Sequence, residues 1–457
     1  MNAVGTVSSS RQQVSILIVV GLICTLGYGY LAIRSNNDSG IELFDFLGSY
    51  WAIGTLVLAY WLYLHNNNLT LSYGAVVFWA VVFRLIGIVG SPILEDDFYR
   101  YLLDGCVFLS TGSPYGITPE SLFQGNSLSK ECQAALTWVN NPDLPTIYAP
   151  LLQYIFALAH IISTANINLL QLILALFDIG LILILCRFAP AKNVLLYAWN
   201  PLILKEIAFT AHPDIIGVFF LMAAFTARHQ QKSALAAVMI ALACACKIFA
   251  VIALPYFLYK QKFRYWLLIA AILVVLYLPF LRPSHMDMGN TDMLIVGIFA
   301  QHWQFNATVF QLFRNFLPDL IARGFCLGIF VTGWGYYFYR YHSAHPANDR
   351  PSNNMSHDLA WTIPRFDWIF GVFFLLSPVA NPWYIIWLLP FAVLRPSYWA
   401  WTLSLVVSLT YVTGINLIES DLNAYEIAEW AYAIEIAAIS VALFYDYRKK
   451  NLTLNGN

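Results

Sequence analysis

Apolar runs close to twenty residues long recur from one end of the chain to the other. The clearest are Val14–Ala32, Leu71–Gly90, Leu169–Cys186, Trp266–Leu281, Ile321–Phe338, Trp399–Ile415 and Ile427–Phe444. About 20 apolar residues in helical conformation cross the hydrocarbon core of a bilayer. Further runs are shorter and broken by Pro or Gly, which a membrane tolerates where neighbouring helices or a cavity satisfy the backbone. Only 11% of the residues are charged, against about 25% in a soluble globular chain. The expectation is an all-α polytopic membrane protein of about 12–14 transmembrane helices, residues 1–457 forming a single transmembrane domain.

Lys and Arg orient this array. They cluster at Arg187/Lys192, Arg228/Lys232, Lys260/Lys262/Arg264, Arg340/Arg350/Arg365, Arg395 and Arg448/Lys449/Lys450. The positive-inside rule places these in the cytoplasm. The stretch Ser91–Ile147 is opposite in character, with seven carboxylates against Arg100 and Lys130, and is assigned to the outer face. Three spans precede it, so with the amino terminus inside the parity is right. Leu169–Cys186 must then run inward, which leaves Leu151–Ser163 without a crossing. At about 13 residues it suits a juxtamembrane or re-entrant helix within 148–165. Residues 341–364 read as a polar cytoplasmic loop. Val14–Ala32 is too long for a secretory signal and lacks a small-residue cleavage site, so it is read as the first span. Cys106 and Cys132 share the outer loop, where a disulfide is open to them. Two cysteines alone set no framework, and the reading leans against it.

Chemistry-bearing residues gather in three places. The outer loop opens with Glu95-Asp96-Asp97-Phe98-Tyr99-Arg100-Tyr101-Leu102-Leu103-Asp104-Gly105 behind the helix-ending Pro92. Asp97, Tyr101 and Asp104 share a helical face, as do Asp96 and Arg100. The acids suit either a functional site or merely a solvated helix start stabilised by the helix dipole. In the second group, Lys247 interrupts an apolar stretch, Lys205-Glu206 and His212-Pro213-Asp214 flank a helix end, and Arg282 closes an outward-running helix. Ionisable residues at membrane depth are costly and mark function by default, although Lys205/Glu206 would serve equally well as a structural ion pair. Asp178 and the lone histidines, His160 among them, are read as packing residues. The third group is Ser377-Pro378-Val379-Ala380-Asn381-Pro382-Trp383-Tyr384, a broken hairpin. It is an interfacial turn or an aromatic wall for a sugar or an isoprenoid.

In this order the three groups resemble the GT-C superfamily of membrane glycosyltransferases. They are most similar to polyprenyl-phosphate-mannose-dependent mannosyltransferases, both the bacterial lipoglycan type and the first mannosyltransferase of glycosylphosphatidylinositol assembly. Asp96–Gly105 looks like that family's Asp-Asp-x-Tyr-Arg-Tyr-x-Trp-Asp-Gly motif, with Leu103 in place of Trp. Gly112-Ser113-Pro114-Tyr115 and Tyr148-Ala149-Pro150-Leu151 resemble two further elements. Ala211-His212-Pro213-Asp214 is similar to a Gly-His-Asn-Asp element at two of four positions. The likeness runs from about Arg84 to Pro390.

The resemblance implies transfer of a hexose, mannose first, from a polyprenyl-phosphate sugar to a hydroxyl of a glycolipid, glycan or protein acceptor. An outer-loop base is expected, Asp96 ahead of Asp97. Lys247 and Arg282, with Arg100, are expected to hold the donor phosphate. Tyr99, Tyr101, Asp104, Tyr115, Tyr148, His212, Asp214, Asn381, Trp383 and Tyr384 are expected to line sugar or lipid. No cofactor is assigned with certainty; the paired acids also suit a divalent cation, which the adjacency of Asp96 and Asp97 and the lack of a His or further carboxylate clearly placed beside them disfavour. A bacterial inner membrane, with the site facing the periplasm or exterior, is favoured over the endoplasmic reticulum because the chain lacks the retention signal common in the latter. The competing class is a transporter or lipid flippase. Internal repeats and midplane charges favour that class; here no repeat appears, and most of the unusual charges fall at the outer ends of helices beside the acidic loop. A non-catalytic membrane subunit is a third reading.

Overall fold

The computed structural model describes residues 3–37, 40–123, 128–281, 303–344, 363–417 and 420–454. Among them there is no strand; two isolated bridges join Phe305 to Val379 and Thr413 to Ile427. Among the described residues, four helices are long and apolar enough to cross a membrane: Gln13–Ser35, Leu43–Asn66, Ile167–Leu185 and Phe263–Phe280. Pro201–Phe209 and Asp214–His229 make a fifth if that broken pair counts as one span. Shorter apolar helices include Tyr73–Val89, Pro150–Ile162, Ser233–Cys244 and Phe366–Leu376.

The outer surfaces of these helices are apolar. Leu26 and Ile33 are about three-quarters exposed, and Leu176, Leu183, Val274 and Val275 are also exposed. Each would cost free energy against water at about 25 cal/mol per Å²; against lipid there is no such cost. The chain is an all-α, polytopic integral membrane protein. Pro150–Ile162 has 13 residues, about 20 Å of helix at 1.5 Å per residue, which is short of the roughly 30 Å hydrocarbon core. Of the expected cytoplasmic loop, Tyr341–Ala344 complete the helix Asp319–Ala344, and 345–362 lie outside the described residues.

The chain divides into two compact units. The first comprises Met1–Leu94, Ala189–Phe209 and Pro396–Asn457. Its interior centres on the fully buried Trp199. Tyr28 donates its hydroxyl to the Trp199 carbonyl at 3.0 Å, and the Trp199 indole donates to the Val76 carbonyl at 3.1 Å. The buried Arg84 guanidinium donates to the carbonyls of Ala80 and Ala198, which offsets part of the cost of removing it from water. Lys205 and Glu206 lie in the π-helix Leu204–Phe209 and form a buried ion pair at 3.2 Å. Lys205 also donates to the Tyr411 hydroxyl, which donates to Glu206 Oε1 at 2.7 Å. The structural reading of that pair therefore has a complete partner set.

The second unit comprises Glu95–Phe188 and Thr210–Arg395. Its helix Asp97–Thr111 ends at Gly112, whose φ of 84° is the left-handed conformation glycine adopts readily. This helix packs on Pro150–Ile162 so closely at Gly105 that a Cβ there would stand 2.6 Å from the Phe156 carbonyl oxygen. A disulfide between Cys106 and Cys132 ties it to the helix Lys130–Thr137, which overturns the expectation that the pair stays open. Leu103, Val107, Ala135, Leu136 and Val139 pack around that bridge. Asp178 is buried within Ile167–Leu185.

Candidate functional site

The acidic motif, the Lys247 break and the Trp383/Tyr384 hairpin all belong to the second unit. Asp96 is the N-cap of Asp97–Thr111, yet its side chain makes no capping hydrogen bond. Both carboxylates turn instead to Asn140. One amide nitrogen, Asn140 Nδ2, donates to Asp96 Oδ1 at 2.7 Å and to Asp97 Oδ1 at 2.8 Å. Partial burial raises the proton affinity of Asp96 above that of an ordinary aspartate; the Asn140 hydrogen bond offsets part of this, and the Asp97 charge adds to it. Tyr99, half-buried one turn on, lies against the ring of Phe98.

Arg100 is buried, and its guanidinium donates to the carbonyls of Leu144, Asn140 and Asn141 at 2.9–3.0 Å. The structure thus engages it with the loop. Asp104 is buried beneath the acids. Its Oδ2 accepts from Thr146 Oγ1 at 2.5 Å and from Gln153 Nε2 at 2.8 Å. Burial pushes its carboxyl up to about 6, against the opposing pull of Arg100, Thr146 and Gln153.

An aromatic chain leads from this helix to the other groups. Tyr101 stacks on Phe156 at 5.0 Å, stands edge-on to Tyr148 at 5.0 Å and meets His212 at 6.5 Å. Tyr115 donates its hydroxyl to the Tyr148 carbonyl at 2.8 Å. His212 stacks on Trp383 with centroids 4.0 Å apart and planes within 14°. The residue before it, Ala211, holds a positive φ of 63°.

Asp214 opens the helix Asp214–His229, and its Oδ1 accepts from Lys247 Nζ and from the Trp387 indole, both at 2.7 Å. Lys247 has extended backbone in the break between Ser233–Cys244 and the 3₁₀ turn Ile248–Ala253. Its ammonium lies 4.2 Å from the centre of the Tyr384 ring and 5.0 Å from that of Phe249, a cation–π arrangement. Tyr384 and Trp383 lie on the 3₁₀ turn Pro382–Trp387, whose N-cap is Asn381. The field of Asp97 reaches Tyr101, Tyr148, Tyr384 and Lys247, so the acidic end and the cationic end share one electrostatic neighbourhood.

Arg282 lies outside the described residues. Lys205 and Glu206 belong to the first unit. Among the described residues, Cys106, Cys132 and His160 are the one set of three His, Cys or carboxylate ligand atoms within 4.8 Å of one another, and the disulfide engages both sulfurs. A divalent cation at Asp96 and Asp97 would need backbone or substrate oxygens to complete its shell. Sequence reasoning missed Asn140, Thr146, Gln153 and Trp387. The turn-forming run Asn140-Asn141-Pro142-Asp143 was the one local signal for the first of these.

An all-helical integral membrane protein with carboxylates at one end of a helix and a lysine in a broken helix has the makings of a membrane group-transfer enzyme. Residues 28–260, just over half of the chain, match the family model described as Alpha-(1->6)-mannopyranosyltransferase, N-terminal domain. The chain belongs to this family, and it is a membrane mannosyltransferase. The matched span holds Asp96, Asp97, Asn140, Asp214 and Lys247; Trp383 and Tyr384 lie beyond it. No curated protein and no solved structure matches the chain.

Proposed function

We propose that the enzyme transfers mannose from a polyprenyl-phosphate sugar to a hydroxyl of a glycolipid or glycan at the outer membrane face, in one step and with inversion. The family's description supplies the linkage: the attacking group is then a C6 hydroxyl and the product is α-linked. Inversion to an α product requires a β-configured donor. The acceptor O6 attacks C1, the bond from C1 to the phosphate oxygen breaks, and that oxygen leaves with the electron pair. The hydroxyl proton passes to Asp96, a role worth about 10²–10⁴ in rate.

Phosphate is a good leaving group, so the main need is a cation beside the departing charge. Lys247 supplies it. Its pairing with Asp214 fixes its position at 2.7 Å, and its side chain keeps 23% exposure, which leaves room for a phosphate oxygen. Arg282 is the second candidate cation. Arg100, held to three loop carbonyls, shapes the loop. The stack of His212 on Trp383, together with Tyr384 and the Tyr101–Tyr148 pair, forms a wall suited to a sugar ring and an isoprenoid. Tyr99, Tyr115, Asp104 and Asn381 set the shape of that wall.

The observation that carries this reading is the presence, within one unit of a family mannosyltransferase, of a partly buried acid pair and a partly exposed lysine. Reconstituted protein should transfer label from synthetic polyprenyl-phosphate mannose to a mannoside bearing a free C6 hydroxyl. Transfer from a nucleotide mannose in its place would sink the lipid-phosphate donor.

A further inference from the structure

We infer that Asn140 is the positioning residue of the acid pair: its single amide holds Asp96 and Asp97 as fixed hydrogen-bond acceptors, and the acid-bearing helix in turn holds Asn140. The inference rests on the reading of those acids as the seat of the base.

Adjacent carboxylates repel, and the Asp96 side chain makes no capping bond to the helix start, only an interaction with its own backbone amide. Asn140 supplies what is missing. An amide NH2 has two donors, and here each goes to a different carboxylate, at 2.7 and 2.8 Å. An amide takes up no proton near neutral pH, so its part is to orient the acids and set their proton affinity.

The loop that carries Asn140 is gripped twice by the helix it serves. Arg100, one turn past the acids, binds the carbonyls of Asn140, Asn141 and Leu144. Cys106, further along, is bonded to Cys132 in Lys130–Thr137, which leads into Asn140. The circuit closes on itself: the helix fixes the loop, and the loop returns one side chain to fix the acids. Groups that act on Asp96 are Asp97 and Tyr99 from its own helix and Asn140 from the loop. The charge of Asp97 acts on Lys247, Tyr148 and Tyr384 of other elements and on Tyr101 of its own helix.

The test compares wild type with Asn140→Ala and Asn140→Ser. All are reconstituted in liposomes with polyprenyl-phosphate mannose, and kcat and KM are followed from pH 5 to 8.5. Removing a hydrogen bond to a charged carboxylate should lower kcat of Asn140→Ala about tenfold or more, with KM changed by less than about threefold. Loss of the donor makes the base harder to deprotonate, so the acid limb of the profile should move to higher pH by about one unit. Asn140→Ser, with one donor, should fall between. An intact Cys106–Cys132 bond, read by gel mobility, reports that each variant is folded. If Asn140→Ala misfolds, the Ser variant carries the same two readouts.

Wild-type kcat and an unmoved acid limb in a folded Asn140→Ala or Asn140→Ser enzyme would overturn the role of Asn140 and leave the transferase reading standing. Failure of wild type to transfer mannose at all would remove the transferase reading, and this proposal with it, before any variant is compared.

Discussion

Asp104 shows how a single buried carboxyl couples this fold to pH. Its value of about 6, against an ordinary 3.8, means that the folded chain binds a proton there before the unfolded chain does. Its contribution to stability therefore rises as pH falls through 6 towards 3.8, the reverse of a salt-bridged aspartate. The melting temperature in detergent should climb between pH 7.5 and 5, with this residue accounting for about 1–1.5 kcal/mol over that window. Asp104→Asn should flatten that segment; an unchanged slope would contradict the assignment. Ala211 offers a second test. At φ 63° it occupies backbone that suits glycine, so Ala211→Gly should stabilise the protein by about 1 kcal/mol with activity retained. A lower melting temperature would show that its methyl group matters more than its backbone. At this scale the sequence exposed the charged residues but not their partners. Asp214 and Lys247 stood out separately. Their bond joins positions 33 apart, a relation that packing creates and spacing does not encode.

Among the elements, the helix Asp97–Thr111 does the most to organise the second unit. It carries the acids, the loop-holding Arg100, the disulfide and, at Gly105, the closest approach to Pro150–Ile162. A methyl group at Gly105 would press on the Phe156 carbonyl, which belongs to rigid helical backbone. Gly105→Ala should therefore cost about 1–3 kcal/mol, read as an earlier thermal transition, and should weaken activity by moving the acids. Wild-type melting would mean that the two helices separate without cost. The helix itself was legible from its periodic acids and aromatics, and the shortness of Pro150–Ile162 was legible from the length of its apolar run. The disulfide was not, because two cysteines 26 residues apart carry no framework until folding brings the helices together. The break at Lys247 was visible as a charge in an apolar run; its extended backbone was not.

For the whole molecule, hydropathy sufficed for the class: Gln13–Ser35, Ile167–Leu185 and Phe263–Phe280 coincide with runs read directly from the sequence. The division into two units escaped it. Each unit is assembled from discontinuous segments that meet in short connectors, such as Phe209–Thr210, without a linker or a shift in composition. The proposed mechanism places the base of mannose transfer in the acid pair at the start of Asp97–Thr111. The measurement that tests it most directly is mannose transfer from labelled polyprenyl-phosphate mannose by wild type, Asp96→Asn and Asp97→Asn at matched expression and with the Cys106–Cys132 bond intact. Wild type should transfer mannose, Asp96→Asn should lose at least about 10²-fold, and Asp97→Asn should lose less. Transfer at wild-type rate by both folded variants would contradict it.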